Sequence, residues 1–312
     1  MTNDTIGVDI SKDHLDAHRM SDGSHRRFGN DRAGHTAFAH WAGGRCDTRI
    51  VYEPTGPYHR AFERRLADAG FALVKVNPRQ ARRFAEATGR LAKTDRLDAA
   101  MLARMGALLG LEARPVRGPT LNDLKDLHMA REALAKNRTA ARNRSKNLVL
   151  PILKRQNAAQ LRQIECQMAA IEAEIMARIK ADPGLARRFD ILVSIPGISA
   201  ITAFALIIDM PELGTLENGQ AASLAGLAPV ARQSGSWTGR AFIRGGRANV
   251  RQALYMPALV AMRFNQDLKA NYDRLKAAGK PSKKAITAIM RKLIVLANAL
   301  IRDGRKWTPA LP

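Results

Sequence analysis

Residues 5–10 read Thr5-Ile6-Gly7-Val8-Asp9-Ile10, and residues 49–53 read Arg49-Ile50-Val51-Tyr52-Glu53. Both are short β-branched, apolar runs that deliver a carboxylate at the strand exit, and they set the reading of everything around them. Residues 14–20 and 24–28 are plausible hairpin partners for the first run, and 32–41 reads as a helix. The second run is followed by a helix over 58–69 and a strand over 71–76. Asn77-Pro78 then opens another helix, with proline in the first turn where no backbone donor is needed. Strands alternating with helices in this order predict an α/β sheet domain.

The 312-residue chain carries 51 Lys and Arg against 28 Asp and Glu, a formal charge of +23, which points to a polyanionic partner, nucleic acid before membrane surface. The charge is uneven. Residues 1–60 hold 8 basic and 8 acidic side chains, whereas 241–312 hold 15 and 3. A balanced catalytic portion followed by a phosphate-holding C-terminal portion accounts for that division. No apolar run reaches the roughly 18 residues of a membrane span. The start, MTNDTIGVDI, lacks the basic-then-apolar pattern of a signal peptide. Cys46 and Cys166 are too few and too far apart for a disulfide framework or a zinc site, so a cytoplasmic, reducing location is expected.

Residues 121–180 are poor in glycine and rich in Ala, Arg, Lys and Leu. Leu161, Ile164, Met168, Ile171 and Ile175 step by 3, 4, 3 and 4, a heptad seam. Leu121, Leu124, Leu127 and Leu134 begin a second stripe, and Pro151 marks a kink or turn between them. Two long helices follow, either an antiparallel spacer or a dimerising coiled coil. Beyond residue 189, Pro196-Gly197-Ile198 and the apolar helix to Ile208 suggest half of a helix-hairpin-helix, with Ser199 where a second glycine is usual. Residues 249–264 and 283–303 read as further amphipathic helices.

Four acids stand out. Asp9 and Glu53 sit at strand exits, where a carboxylate is costly unless paired or bound to a cation. Asp95 and Asp98, three apart, share a helix face. Together they match the oxygen-rich donor set of hard divalent cations, which can polarise a scissile phosphate. Each also has a plainer role available: Thr94 is a good N-cap, and Asp95 and Asp98 in the first turn favour the helix dipole. Residues 231–251, ARQSGSWTGRAFIRGGRANVR, form a glycine-rich loop with Arg232, Arg240, Arg244, Arg247 and Arg251 for phosphates and Trp237 for base stacking. Ser234 in that loop is either a nucleophile or part of a passive phosphate cradle.

Several blocks together resemble the DEDD-type insertion-sequence transposases, the insertion-sequence one-hundred-and-ten family related to Piv-type DNA invertases. They are GVDISKDHLDA, YEPTGPYH, VNPRQARRFAEATGRLAKTDRLDAAMLAR, SIPGIS, LAGLAPVARQSGSWTGR and IRGGRANVRQALYMPAL, spread over nearly the whole length. The resemblance implies an RNase H-like (RuvC-like) domain over 1–115 with the tetrad on Asp9, Glu53, Asp95 and Asp98. It implies a coiled-coil spacer over 116–185 and a mainly α transposase domain over 186–312 whose nucleophile matches Ser234, with Ser236 the weaker alternative. It further implies Mg²⁺ or Mn²⁺ in the tetrad, donor and target double-stranded DNA, a structured bridge RNA as guide, and a homodimer or homotetramer. The chain departs from the family pattern at Ser199 and at Pro257, which falls in an expected continuous helix. Two other functions remain open on the residues: a RuvC-like, metal-dependent junction endonuclease using water, and a non-catalytic nucleic-acid-binding protein.

Overall fold

A computed structural model of the chain describes residues 4–43, 48–89, 94–113, 115–116 and 118–309; Cys46 and the side chain of Arg240 lie outside the described residues. The chain divides into two compact units, Met1–Arg117 and Gly118–Pro312.

In the first unit, strands β1 (Asp4–Ile10), β2 (His14–Arg19), β3 (His25–Gly29), β4 (Thr48–Tyr52) and β5 (Ala72–Lys75) form one sheet in the order β3-β2-β1-β4-β5. The β1–β2 and β2–β3 pairs are antiparallel, while β1–β4 and β4–β5 are parallel. The helices are α1 (Arg32–Ala42), α2 (His59–Asp68), α3 (Pro78–Ala87) and α4 (Asp95–Leu108). Strand alternation sends Ile6, Val8 and Ile10 into one core with Leu15, Ile50, Tyr52 and the helix residues Phe38, Phe62 and Leu66. Phe38 and Phe62 meet edge to face at 5.1 Å. The opposite face carries Val51 and Val74 against Met101, Leu102 and Met105 of α4.

Glycine sets how closely α4 approaches. A Cβ on Gly7 would lie 2.0 Å from the Ala99 carbonyl oxygen, so helix backbone rests directly on β1. A Cβ on Gly106 would lie 2.4 Å from Val51 Cγ2, extending the same contact to β4. Thr94 is the N-cap of α4, its hydroxyl accepting from the Leu97 N–H at 3.3 Å.

The second unit contains α5 (Pro119–Ser145), α6 (Pro151–Ala181), α7 (Pro183–Ser194), α8 (Ala200–Asp209) and α9 (Asn218–Leu224). A hairpin of β6 (Pro229–Ser234) and β7 (Trp237–Ile243) follows, then α10 (Ala248–Ala253), α11 (Tyr255–Phe264), α12 (Gln266–Ala277) and α13 (Ser282–Asp303). Helices α5 and α6 run antiparallel, cross-linked by Arg178–Asp123 at 2.8 Å, Arg131–Glu172 at 2.7 Å and Arg142–Glu165 at 2.8 Å. Of the expected seam, Ile164, Met168 and Ile175 are buried and Leu161 and Ile171 half-buried. Pro151 starts α6 instead of kinking a helix, because its missing N–H is not needed there.

Three expectations are corrected. Residues 249–264 form two helices abutting at Leu254, and Pro257 sits in the first turn of α11, where it breaks no hydrogen bond. The serine loop is an antiparallel hairpin, its only two unpaired tip residues being Gly235 and Ser236. Ser199 caps α8, its hydroxyl accepting from the Thr202 N–H at 3.4 Å. Gly197 alone makes the preceding turn, with φ of +95° and the Pro257 carbonyl oxygen 2.6 Å from where a Cβ would stand. Helix α13 buries Ile289, Leu293, Ala297 and Leu300 and exposes Lys283, Lys284, Arg291 and Lys292. Among the described residues, no helix is long and apolar enough to cross a membrane.

Candidate active site

The acids reach one sheet face by parity. On β1, Ile6, Val8 and Ile10 face the α1–α2 core, so Gly7 and Asp9 face α4. On β4, Val51 packs toward α4, and two residues later Glu53 leaves the strand with the same parity. Asp95 and Asp98 occupy the first turn of α4, whose close seat on Gly7 brings that turn over the exit of β1.

Their charges meet at Asp9. Its carboxyl is pushed up to about 6, first by burial and then by the charges of Asp98, Asp95, Glu53 and Asp16. Asp16 had no place in the sequence-based site. It lies directly across the β1–β2 hairpin from Asp9, and Arg27 lies directly across from Asp16 on β3. The symmetry of the short loop between residues 10 and 14 was the signal that could have found it. Arg27 grips Asp16 bidentately, Nε to Oδ1 at 3.1 Å and Nη2 to Oδ2 at 2.9 Å, and its Nη2 also lies 3.5 Å from Asp95 Oδ2.

A set of carboxylates whose charges converge on Asp9 fits a hard divalent cation, which would neutralise the repulsion. Among the described residues, no three acidic, His or Cys side chains are grouped tightly enough to hold a cation as they stand. The counter-charge at Asp95 comes instead from Arg27.

In the second unit, Ser234 closes β6 and pairs with Trp237 across the Gly235-Ser236 turn. Gly235 has φ of +56°, while among the described residues no non-glycine residue has positive φ, the pattern of a turn with glycine at its first central position. All of β6 is exposed and Trp237 is 58% exposed, its ring lying over Gly239. Arg232 stacks its guanidinium 5.3 Å from the centre of the Phe242 ring. Arg244 is exposed. Arg247 and Arg251 are engaged within the unit. Arg247 forms a fork on Glu212 at 2.6 Å and donates to the Asp209 carbonyl, and Arg251 donates to the carbonyls of Gly226 and Gly245.

A buried ionic group in this unit was also missed by sequence. Asp209 at the end of α8 accepts from Lys125 of α5, and His128 Nε2 lies 3.6 Å from its other oxygen. Burial pulls the Asp209 carboxyl upward, but its neighbours His128 and Lys125 outweigh it and bring it down to about 2. At 3.6 Å the His128 contact is beyond hydrogen-bond range, so Lys125 carries the larger share. The second unit as a whole carries 31 Lys and Arg against 14 Asp and Glu, and the first 20 against 14.

A sheet that gathers carboxylates, joined in one chain to a basic helical unit with an exposed serine hairpin, defines a DNA-processing enzyme. Residues 6–153 match the profile of the DEDD transposases of IS110, described as a transposase, and residues 189–273 match the transposase IS116/IS110/IS902 family. The chain is 28% identical to the pilin gene-inverting protein of Moraxella bovis, with 98% of each chain covered. It is equally similar to the Moraxella lacunata protein of the same description. It is 30% identical over 168 residues to an uncharacterized 43.6 kDa protein of insertion element IS110 from Streptomyces coelicolor, which covers 53% of this chain and 40% of that one. Both matching family models are of the IS110 type, and the chain is a transposase or DNA invertase, an enzyme that cleaves and rejoins DNA.

Proposed function

We propose that the chain recombines double-stranded DNA at specific sites, with Asp9, Glu53, Asp95 and Asp98 as metal-holding acids and Ser234 as nucleophile. The observation that carries this is the gathering of carboxylates from two strand exits and one helix turn around Asp9, in a chain of charge +23. The sheet order, with β2 antiparallel beside parallel β1 and β4, supports an RNase H-like, RuvC-like reading. Mg²⁺ or Mn²⁺ held by these acids would supply Lewis-acid polarisation of the scissile phosphate.

The chain's own part is nucleophile and clamp. Ser234 Oγ attacks the phosphorus, the bond to the 3′ oxygen breaks, and the serine's proton leaves to that oxygen. The product is a 5′ phosphate ester on Ser234 and a free 3′ hydroxyl. A 3′ hydroxyl from another strand reverses the step and frees the serine, so no energy source is consumed. Arg232, Arg240 and Arg244 flank the phosphate, with Arg247 and Arg251 supporting the base of the hairpin, and Trp237 stacks a neighbouring base. The serine of one subunit serves the acids of another in a homodimer or homotetramer, with α5–α6 as coiled-coil spacer. The basic surfaces of α12 and α13 hold DNA and a structured guide RNA, which selects the donor and target sequences.

The test is 3′-radiolabelled element-end DNA incubated with Mg²⁺ and run on a denaturing gel, the 3′ label staying on the fragment whose 5′ phosphate joins the serine. The wild-type chain and Ser236→Ala leave a protein-linked band, and Ser234→Ala leaves none. Cleavage by Ser234→Ala at the wild-type rate would instead identify a junction endonuclease that uses water.

A further inference from the structure

Across three neighbouring strands the register aligns Asp9, Asp16 and Arg27, so their side chains share the face covered by the first turn of α4. Arg27 meets two carboxylates there on different terms. Toward Asp16 it makes a bidentate contact with an acid whose side chain is only 5% exposed. Toward Asp95 it makes one contact at 3.5 Å with an acid 61% exposed, and Arg27 itself is 53% exposed. The first contact is sheltered and geometrically fixed. The second is open to water and readily exchanged.

We infer that Arg27 is a cationic placeholder for the acid site: without a metal ion it holds Asp95 and keeps the first turn of α4 over the sheet, and cation binding displaces it from Asp95 while Asp16 retains it. This rests on the proposed metal-holding role of Asp9, Glu53, Asp95 and Asp98, and assigns Arg27 and Asp16 as positioning residues for it. A guanidinium serves here because its Nε and Nη2 edge holds Asp16 at two points, so Nη2 can also reach Asp95 and give it up while Nε stays bound, which a single ammonium cannot reproduce. The consequence is a threshold, since an entering cation must compete with Arg27 for Asp95.

The experiment is a Mn²⁺ titration of the full chain, free Mn²⁺ being read by electron paramagnetic resonance, with folding checked by circular dichroism. Removing one positive charge beside the acids by Arg27→Met should tighten Mn²⁺ binding about tenfold. Arg27→Lys keeps the charge and should stay within about threefold of wild type. In an Asp95→Asn background the Arg27→Met effect should fall below about threefold, because the contested ligand is gone. If Arg27→Met fails to fold because Asp16 is left unpaired, the double variant Asp16→Asn, Arg27→Met removes both charges and should still bind Mn²⁺ more tightly than wild type. Unchanged affinity in the folded Arg27→Met chain or in the double variant overturns the placeholder and leaves the metal reading standing. A gain that persists undiminished with Asp95→Asn does the same, since it would be a bulk charge effect. A wild-type chain that binds no Mn²⁺ overturns the metal reading, and the placeholder with it.

Discussion

Replacing Gly7 by alanine tests whether the close seat of α4 on β1 positions the acids. The added Cβ would stand 2.0 Å from the Ala99 carbonyl oxygen and 2.3 Å from the Ala103 nitrogen, both helix backbone, so no side chain can rotate away. Restoring ordinary contact at 3.4 Å requires the helix to move off the strand by roughly 1.4 Å. Overpacking of this kind costs about 1–3 kcal/mol. For a unit of this size that is about 4–15 °C in melting temperature. Because Asp95 and Asp98 ride on the displaced turn, a shift of about 1 Å at the reacting groups should slow strand cleavage on the order of 100-fold. The assay pairs thermal melting by circular dichroism with cleavage of supercoiled DNA carrying the element ends. Gly118→Ala is the control, since nothing lies within 4 Å of its would-be Cβ and its backbone is extended. If Gly7→Ala melts within about 1 °C of wild type and cleaves at full rate, the seat of α4 does not position the acids.

Two further outcomes follow from the charges. Asp209, with its carboxyl brought down to about 2, adds stability that is complete above the ordinary carboxylate range and lost as pH falls from about 4 through 2. Asp209→Asn should therefore cost about 2–3 kcal/mol at pH 7, with Lys125 and His128 left facing no anion, and the gap to wild type in urea melts should close toward pH 2. Asp9→Asn removes the carboxylate on which four others converge, so in EDTA the variant should melt a few degrees higher than wild type while losing cleavage. A lower melting temperature would show that Asp9 has a stabilising partner instead.

Much of the first unit was legible because its elements are local. The strands at Thr5–Ile10 and 49–52 alternate or run apolar over short spans, and Asn77-Pro78 and Thr94 mark helix starts within the chain itself. The four acids were visible because they interrupt apolar runs or share a helix turn. The β6–β7 hairpin was hidden by its glycines and arginines, which read as loop: its strands are exposed on every β6 position and show no buried alternation. Helix α12 was missed for a related reason, since Leu268 is its one fully buried residue. The break at Leu254 does not interrupt the apolar pattern and so left no trace in it.

By itself, then, the sequence determined the strand and helix order of the first unit, the uneven charge, and which acids and which serine are candidates. These depend on neighbours a few residues apart, through periodicity, capping and composition. Only the tertiary structure decided that Asp16 and Arg27 join the acid face, that Arg27 reaches Asp95, that Arg247 is held by Glu212, and that Asp209 is buried between Lys125 and His128. Each of those pairings depends on strand register or helix packing between distant segments. Cross-strand pairing places residues on one face without regard to their spacing along the chain, so a one-residue change of register would have sent Arg27 to the opposite side of the sheet.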